Sequence, residues 1–132
     1  REVRVGLGQF SMGDSPAENL DRAEAVIVAL AKDDAQVICL PELFSSRYFC
    51  QEENADHYAL AETVPGPSTA RFERVAKQLD VALVLSLFEK RAPGLYHNTA
   101  AVIDGARGYL GKYRKMHIPD DPRYYEKYYF TP

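Results

Sequence analysis

Val3, Val5 and Leu7 alternate with Arg4, Gly6 and Gly8, the period of two that a strand imposes on its side chains. The period then lengthens. Leu20, Ala23, Ile27, Leu30 and Ala31 recur at about 3.6-residue spacing, with Asp21, Arg22 and Lys32 outside the stripe, which predicts an amphipathic helix. Its start is marked by Ser15-Pro16-Ala17-Glu18: an N-cap serine, a proline at the first helical position, and a glutamate placed to close a capping box. Residues 35–40 are apolar except for Gln36 and predict a strand buried on both faces beneath helices, stopped by Pro41. Between residues 44 and 57 the text turns polar and aromatic, and Pro65-Gly66-Pro67 cannot continue a regular element, so a long surface loop is expected there. Phe72, Val75, Ala76 and Leu79 predict a second helix from near Ser68 or Thr69, followed by an apolar strand at 81–88. After Pro93-Gly94, residues 98–103 and 108–117 read as a hairpin turned across Asp104-Gly105-Ala106-Arg107. Alternating strands and helices followed by a hairpin predict an α/β fold whose parallel centre carries an antiparallel extension.

Composition narrows the function classes. With 16 Lys plus Arg against 19 Asp plus Glu, the net charge is −3, which argues against a nucleic-acid coat protein. The 46% hydrophobic and 27% charged fractions suit a globular domain of ordinary size, without repeats or low-complexity tracts. No apolar run approaches the roughly 18 residues of a membrane span, so no membrane role is expected. Arg1-Glu2-Val3-Arg4 is not a secretory leader and the two cysteines make no disulfide framework, so a reducing, cytoplasmic setting is expected. The missing initial Met and the mid-sequence character of Phe130-Thr131-Pro132 suggest a piece of a longer protein.

In open α/β sheets the ligand crevice lies beyond the carboxyl ends of the strands, and Glu42 sits there, just past Ile38-Cys39-Leu40-Pro41. A carboxylate at the rim of an apolar core is partly desolvated and becomes a better proton acceptor; an exposed loop glutamate is the alternative. Lys115 falls near the end of the hairpin's second strand. Alternation puts Lys112 and Arg114 on one face and Tyr113 and Lys115 on the other, taken as the aromatic, inward side. A lysine beside a carboxylate stays protonated and can stabilise charge developing on a substrate oxygen, whereas a solvated basic strand is the bland reading. Residues 112–130 hold six Lys, Arg or His and six Tyr or Phe, the composition of a single-stranded nucleic-acid platform, but Asp120, Asp121 and Glu126 interrupt the positive charge. The tyrosines there read instead as interface or pocket-wall residues. His57, His97 and His117 have no ligand spacing, the cysteines form no C-x-x-C pair, and Gly6-Leu7-Gly8 lacks the rest of a dinucleotide fingerprint. Neither a metal nor a nucleotide cofactor is indicated. Cys39 is expected to be buried in its strand and Cys50 exposed in its loop.

Leu40-Pro41-Glu42-Leu43-Phe44, Pro65-Gly66-Pro67-Ser68-Thr69 and Tyr113-Arg114-Lys115-Met116-His117-Ile118-Pro119, taken together, resemble the nitrilase superfamily of carbon-nitrogen hydrolases. The opening residues 5–10 and His97-Asn98-Thr99-Ala100 extend the resemblance along the whole chain. Within the superfamily, Tyr48-Phe49-Cys50-Gln51 and residues 120–127 are most similar to the branch that hydrolyses N-carbamoylputrescine. The resemblance implies an α-β-β-α sandwich assembled into a homo-oligomer, of which residues 1–132 are the N-terminal part of one domain. It implies a Glu-Lys-Cys triad without a cofactor, with Glu42 as general base and Lys115 as oxyanion stabiliser. Glu126 is implied as the further glutamate that orients substrate and lysine, and Tyr48 as a substrate-contacting wall residue. The nucleophilic cysteine is implied to follow Pro132, and neither Cys39 nor Cys50 matches its motif. The implied substrate is a small ureido or amide compound. The competing readings are an N-carbamoyl amino acid amidohydrolase or ω-amidase, and a non-catalytic binding module built on the tyrosine-rich segment.

Overall fold

A computed structural model describes residues 2–132, and its five strands form one mixed sheet in the order β1-β2-β3-β4-β5. The elements run β1 (Val5–Leu7), α1 (Pro16–Lys32), β2 (Val37–Cys39), α2 (Pro67–Leu79), β3 (Ala82–Ala92), β4 (Leu95–Asp104), β5 (Gly108–Arg114) and α3 (Glu126–Tyr129). The first three strands are parallel, and β3-β4-β5 is an antiparallel meander. The sequence punctuation accounts for most boundaries. Ser15 Oγ accepts the Glu18 N–H at 3.3 Å, one half of the expected capping box, and Pro16 opens α1. The second helix begins at Pro67, a residue or two earlier than expected. Gly66 caps it because its N–H donates to Thr69 Oγ1 at 2.8 Å, and a Cβ there would lie 2.0 Å from the Thr63 carbonyl oxygen. In the hairpin turn Asp104, the last residue of β4, accepts through Oδ1 the N–H groups of Ala106 and Arg107, so the three residues joining the strands fall within the turn signal. Both strands of the hairpin's register differ from the forecast: β4 starts earlier, at Leu95, and β5 ends at Arg114 rather than His117.

The two long helices, α1 and α2, cover one face of the sheet. Ile38, Leu83, Leu85, Leu87, Ala101 and Ile103 point at them and pack with Ala23 and Ile27 of α1 and Phe72, Val75 and Ala76 of α2. The Phe44 and Phe72 rings meet edge-on there, with centroids 5.6 Å apart. Alternation sends the other side chains the opposite way, where Val5 and Leu7 are 56% and 74% exposed and Leu110 and Tyr113 are exposed as well. The expectation that the second strand is buried on both faces is therefore corrected: only Ile38 of β2 is buried, while Val37 and Cys39 are half-buried on the uncovered side.

Residues 44–57 are the expected surface loop only in part: Arg47, Gln51, Glu52, Glu53, Ala55 and Asp56 are exposed, but Phe44, Ser46, Phe49 and Cys50 are buried. Two 3-10 turns, Phe49–Gln51 and Ala55–Leu60, fold over the carboxyl end of the sheet, and Leu43, Phe49, Cys50, Phe88, Tyr129 and Phe130 form a second core beneath them. Phe49 sits 4.9 Å from both the Phe88 and Tyr129 rings. Burying one such ring stabilises the fold by about 2–3 kcal/mol, which outweighs the polar neighbours that made the segment read as exposed. The two cysteines exchange their forecast environments in consequence: Cys50 is fully buried and Cys39 is not.

Candidate active site

Three strand ends deliver the site. β2 runs out through Leu40, whose N–H donates to the Val84 carbonyl at 3.1 Å, and Pro41 then carries the chain away from the sheet with Glu42 next. Leu43 adopts φ +52°, a left-handed conformation that costs a bulky residue roughly 1–2 kcal/mol. It is held by its buried side chain in the second core and by its N–H, which donates to Ser86 Oγ of β3 at 3.0 Å. This kink leaves the Glu42 side chain over the end of the sheet. On β4, Asn98 donates from Nδ2 to Glu42 Oε1 at 2.7 Å, and Ser86 Oγ donates to Asn98 Oδ1 at 3.4 Å.

Lys115 lies one residue past β5, its backbone N–H donating to the Asn98 carbonyl at 2.9 Å. Its Nζ donates to Glu42 Oε1 at 3.1 Å and to Glu126 Oε2 at 2.8 Å, bridging carboxylates that are 84 residues apart in sequence. The second oxygen of Glu126, Oε1, accepts the Tyr48 hydroxyl at 2.7 Å. The structure thus brings Glu42, Lys115, Glu126 and Tyr48 together. Two further site residues, Asn98 and Ser86, were not singled out by chemistry; their signal was the His97-Asn98-Thr99-Ala100 phrase, and for Ser86 a lone polar residue in an apolar strand.

Two expectations about these groups need correction. The Glu42 side chain is 48% exposed, so it is not the desolvated rim carboxylate forecast; the uncovered sheet face leaves it open to solvent. The inward, packed side of β5 belongs to Lys112 and Arg114, not to Lys115. Both of those residues reach the buried Glu89 on the helix side, whereas Lys115 turns to the other side with Tyr113, which is itself exposed.

The electrostatics divide the two carboxylates. Glu126 is buried, with both oxygens engaged, while Glu42 keeps an oxygen that takes no hydrogen bond from the described residues. Burial pulls the Lys115 ammonium down, but the hydrogen bonds it donates to Glu126 and Glu42 outweigh it and hold its pKa above the usual lysine value. Burial, then the acceptor and charge of Glu126, raise the Tyr48 hydroxyl, so Tyr48 remains a proton donor at any physiological pH. The Cys50 thiol lies within the field of both glutamates. Burial first, then the charges of Glu126 and Glu42, push it up to about 12, so it is an inert neighbour rather than a nucleophile. A half-open carboxylate and a fixed ammonium, sharing one oxygen, can accept a proton from an incoming acid and stabilise an oxyanion beside it.

The tyrosine-rich segment is divided: Tyr113, Tyr124 and Tyr128 are exposed. Tyr129 and Phe130 are buried in the second core, and Lys112, Arg114 and Lys115 are tied to carboxylates. Among the described residues, no helix is long and apolar enough to cross a membrane.

The chain is 41% identical to an N-carbamoylputrescine amidase of Oryza sativa subsp. japonica over 99% of its own length and 44% of the relative's. It is 39% identical to a citrullinase of Francisella tularensis, over 98% of this chain and 46% of that protein. An omega-amidase of Xenopus tropicalis is 35% identical over 90% and 42%. In three dimensions the chain superposes on a carbon-nitrogen hydrolase from Helicobacter pylori with a TM-score of 0.93 at 39% identity, covering 98% of this chain and 45% of that one. The fold is accordingly of the nitrilase type, and the chain spans under half the length of these relatives. The sequence model described as Carbon-nitrogen hydrolase matches residues 4–132, and the chain belongs to that family.

Proposed function

We propose that the full-length protein hydrolyses N-carbamoylputrescine to putrescine, carbon dioxide and ammonia, with residues 1–132 forming the N-terminal part of its one catalytic domain. The observation that carries this reading is the Lys115 ammonium held between Glu42 and Glu126 at 3.1 and 2.8 Å. Glu42 takes the proton of a cysteine thiol contributed from outside these residues, and the thiolate attacks the ureido carbonyl. Lys115 stabilises the oxyanion of the tetrahedral intermediate. Collapse breaks the bond to putrescine, whose nitrogen leaves with the proton held by Glu42, and a carbamoyl thioester remains; water, giving a proton to Glu42, cleaves that thioester to the free thiol and carbamate, which breaks down to carbon dioxide and ammonia. Glu126, fully engaged and buried, orients Lys115. The identity to several N-carbamoylputrescine amidases supports the substrate. The family resemblance further supports a homo-oligomer, and the cysteine usage a cytoplasmic setting.

The similarity to a citrullinase and to omega-amidases favours a second reading in which the substrate carries a carboxylate. An amino-acid substrate calls for an arginine at the far end of the pocket, a diamine derivative for carboxylates or tyrosine hydroxyls. Ammonia release from N-carbamoylputrescine, citrulline and an ω-amide, measured in parallel on the full-length protein, separates them; preference for either of the last two overturns the substrate assignment. Glu42→Gln should abolish turnover while the fold is retained, and near-normal turnover would refute the base role.

A further inference from the structure

Among the described residues, every hydrogen bond that Glu42 receives falls on one oxygen. Oε1 takes Asn98 Nδ2 at 2.7 Å and Lys115 Nζ at 3.1 Å, and Oε2 takes none. The rotation of a glutamate carboxylate about its last bond is soft, so something must choose which oxygen faces an incoming thiol. Lys115 alone does not choose, because an ammonium is a point charge with three rotatable donors. The Asn98 amide is planar and directional. Its sense is set as well: reversed, Oδ1 would face the Glu42 oxygen, acceptor against acceptor, whereas in the observed orientation Ser86 Oγ, which accepts the Leu43 N–H at 3.0 Å, donates to Asn98 Oδ1 at 3.4 Å. Asn98 is 5% exposed, and its carbonyl accepts the Lys115 N–H at 2.9 Å, so one residue aligns both the carboxylate and the ammonium.

We infer that Asn98, locked by Ser86, is a positioning residue that fixes the plane of the Glu42 carboxylate and leaves Oε2 as the atom that takes the thiol proton. The inference rests on the base role proposed for Glu42. Each polar end of the Asn98 side chain holds a protein group, and an amide neither gives nor takes a proton at neutral pH, so the role is one of positioning.

The test uses the full-length protein and three variants: Asn98→Leu, which removes the amide; Ser86→Ala, which removes only its anchor; and Glu42→Gln as reference. Steady-state kinetics on N-carbamoylputrescine are combined with the rate of iodoacetamide alkylation of the nucleophilic thiol, both expressed per folded active site counted by mass-resolved labelling. Asn98→Leu should lower kcat about 10- to 100-fold, the range for losing a hydrogen bond to a charged group, with KM within about twofold. The alkylation rate should fall by a similar factor. Ser86→Ala should show the same pattern at about 3- to 10-fold, and it decides the matter if Asn98→Leu does not fold. A merely structural role would lower the number of active sites and leave both per-site rates within twofold of the parent, which overturns the inference. If Glu42→Gln is inactive while the per-site rates of the other variants are unchanged, the positioning role alone falls. If Glu42→Gln turns over normally, the base role falls first and the positioning role with it.

Discussion

Leu43 is the residue on which the geometry of the site turns, since its left-handed φ of +52° directs Glu42 over the sheet end while its own side chain anchors the second core. Tyr48, which family position implies as a substrate-contacting wall residue, also has a partner within the site. With its hydroxyl 2.7 Å from Glu126 Oε1, it satisfies an oxygen of a buried carboxylate. Tyr48→Phe should therefore reduce kcat about 10-fold, the cost of one hydrogen bond to a charge, with little effect on KM. A rise in KM at unchanged kcat, measured on the full-length protein, would return Tyr48 to the substrate wall. Cys50, with its thiol pushed up to about 12, should resist iodoacetamide at pH 8 in the folded protein and react only after unfolding, as peptide mapping would show. Its sequence context of Tyr, Phe, Gln and Glu gave no sign of this, because the burial comes from Tyr129 and Phe130, about 80 residues further on.

The β3-β4-β5 meander carries a buried ionic cluster on its helix side. Glu89 of β3 accepts Thr99 Oγ1 at 2.7 Å and Arg114 through Nε and Nη2 at 2.9 and 2.8 Å, and it also pairs with Lys112, whose ammonium reaches the Val64 carbonyl as well. Burial opposes its charge, but the hydrogen bonds of Arg114, Lys112 and Thr99 outweigh it and pull the carboxyl from 4.5 down to about 2. The unfolded chain thus takes up this proton first. The stabilisation, on the order of 3 kcal/mol, is complete above about pH 4.5 and is lost as pH falls from there toward 2. Glu89→Gln should lower the melting temperature by about 5 °C at pH 7 and by much less at pH 3, read by calorimetry on the full-length protein. Equal losses at the two pH values would contradict the assignment. Elements were the more legible level of the sequence: Ser15-Pro16 and Asp104 marked real boundaries because capping and turn chemistry are local. Lys112 and Arg114 misled because a basic strand looks solvated until the acid it pairs with, more than 20 residues earlier, is known.

At the scale of the molecule, helices shield one side of the sheet while Val5, Leu7, Leu110 and Tyr113 stand exposed on the other. Such a surface on an isolated 132-residue chain should bind the dye ANS strongly and drive self-association in sedimentation. The full-length protein should do neither beyond its native assembly, and a monomeric, dye-silent fragment would contradict the open-face arrangement. The site was legible in the sequence only through its phrases. Composition and periodicity could nominate Glu42 and Lys115 one at a time, but the convergence of residues 42, 98, 115 and 126 is a property of sheet order, which no local pattern encodes. The alternation along β4 places Thr99 on the ionic cluster and Asn98 at the site, adjacent in sequence and on opposite faces of one strand. Heat tolerance and catalytic output are thereby written on two sides of a single ribbon, so a directed-evolution library restricted to residues 99, 112 and 114 should sort by durability while each surviving molecule works at the parental speed.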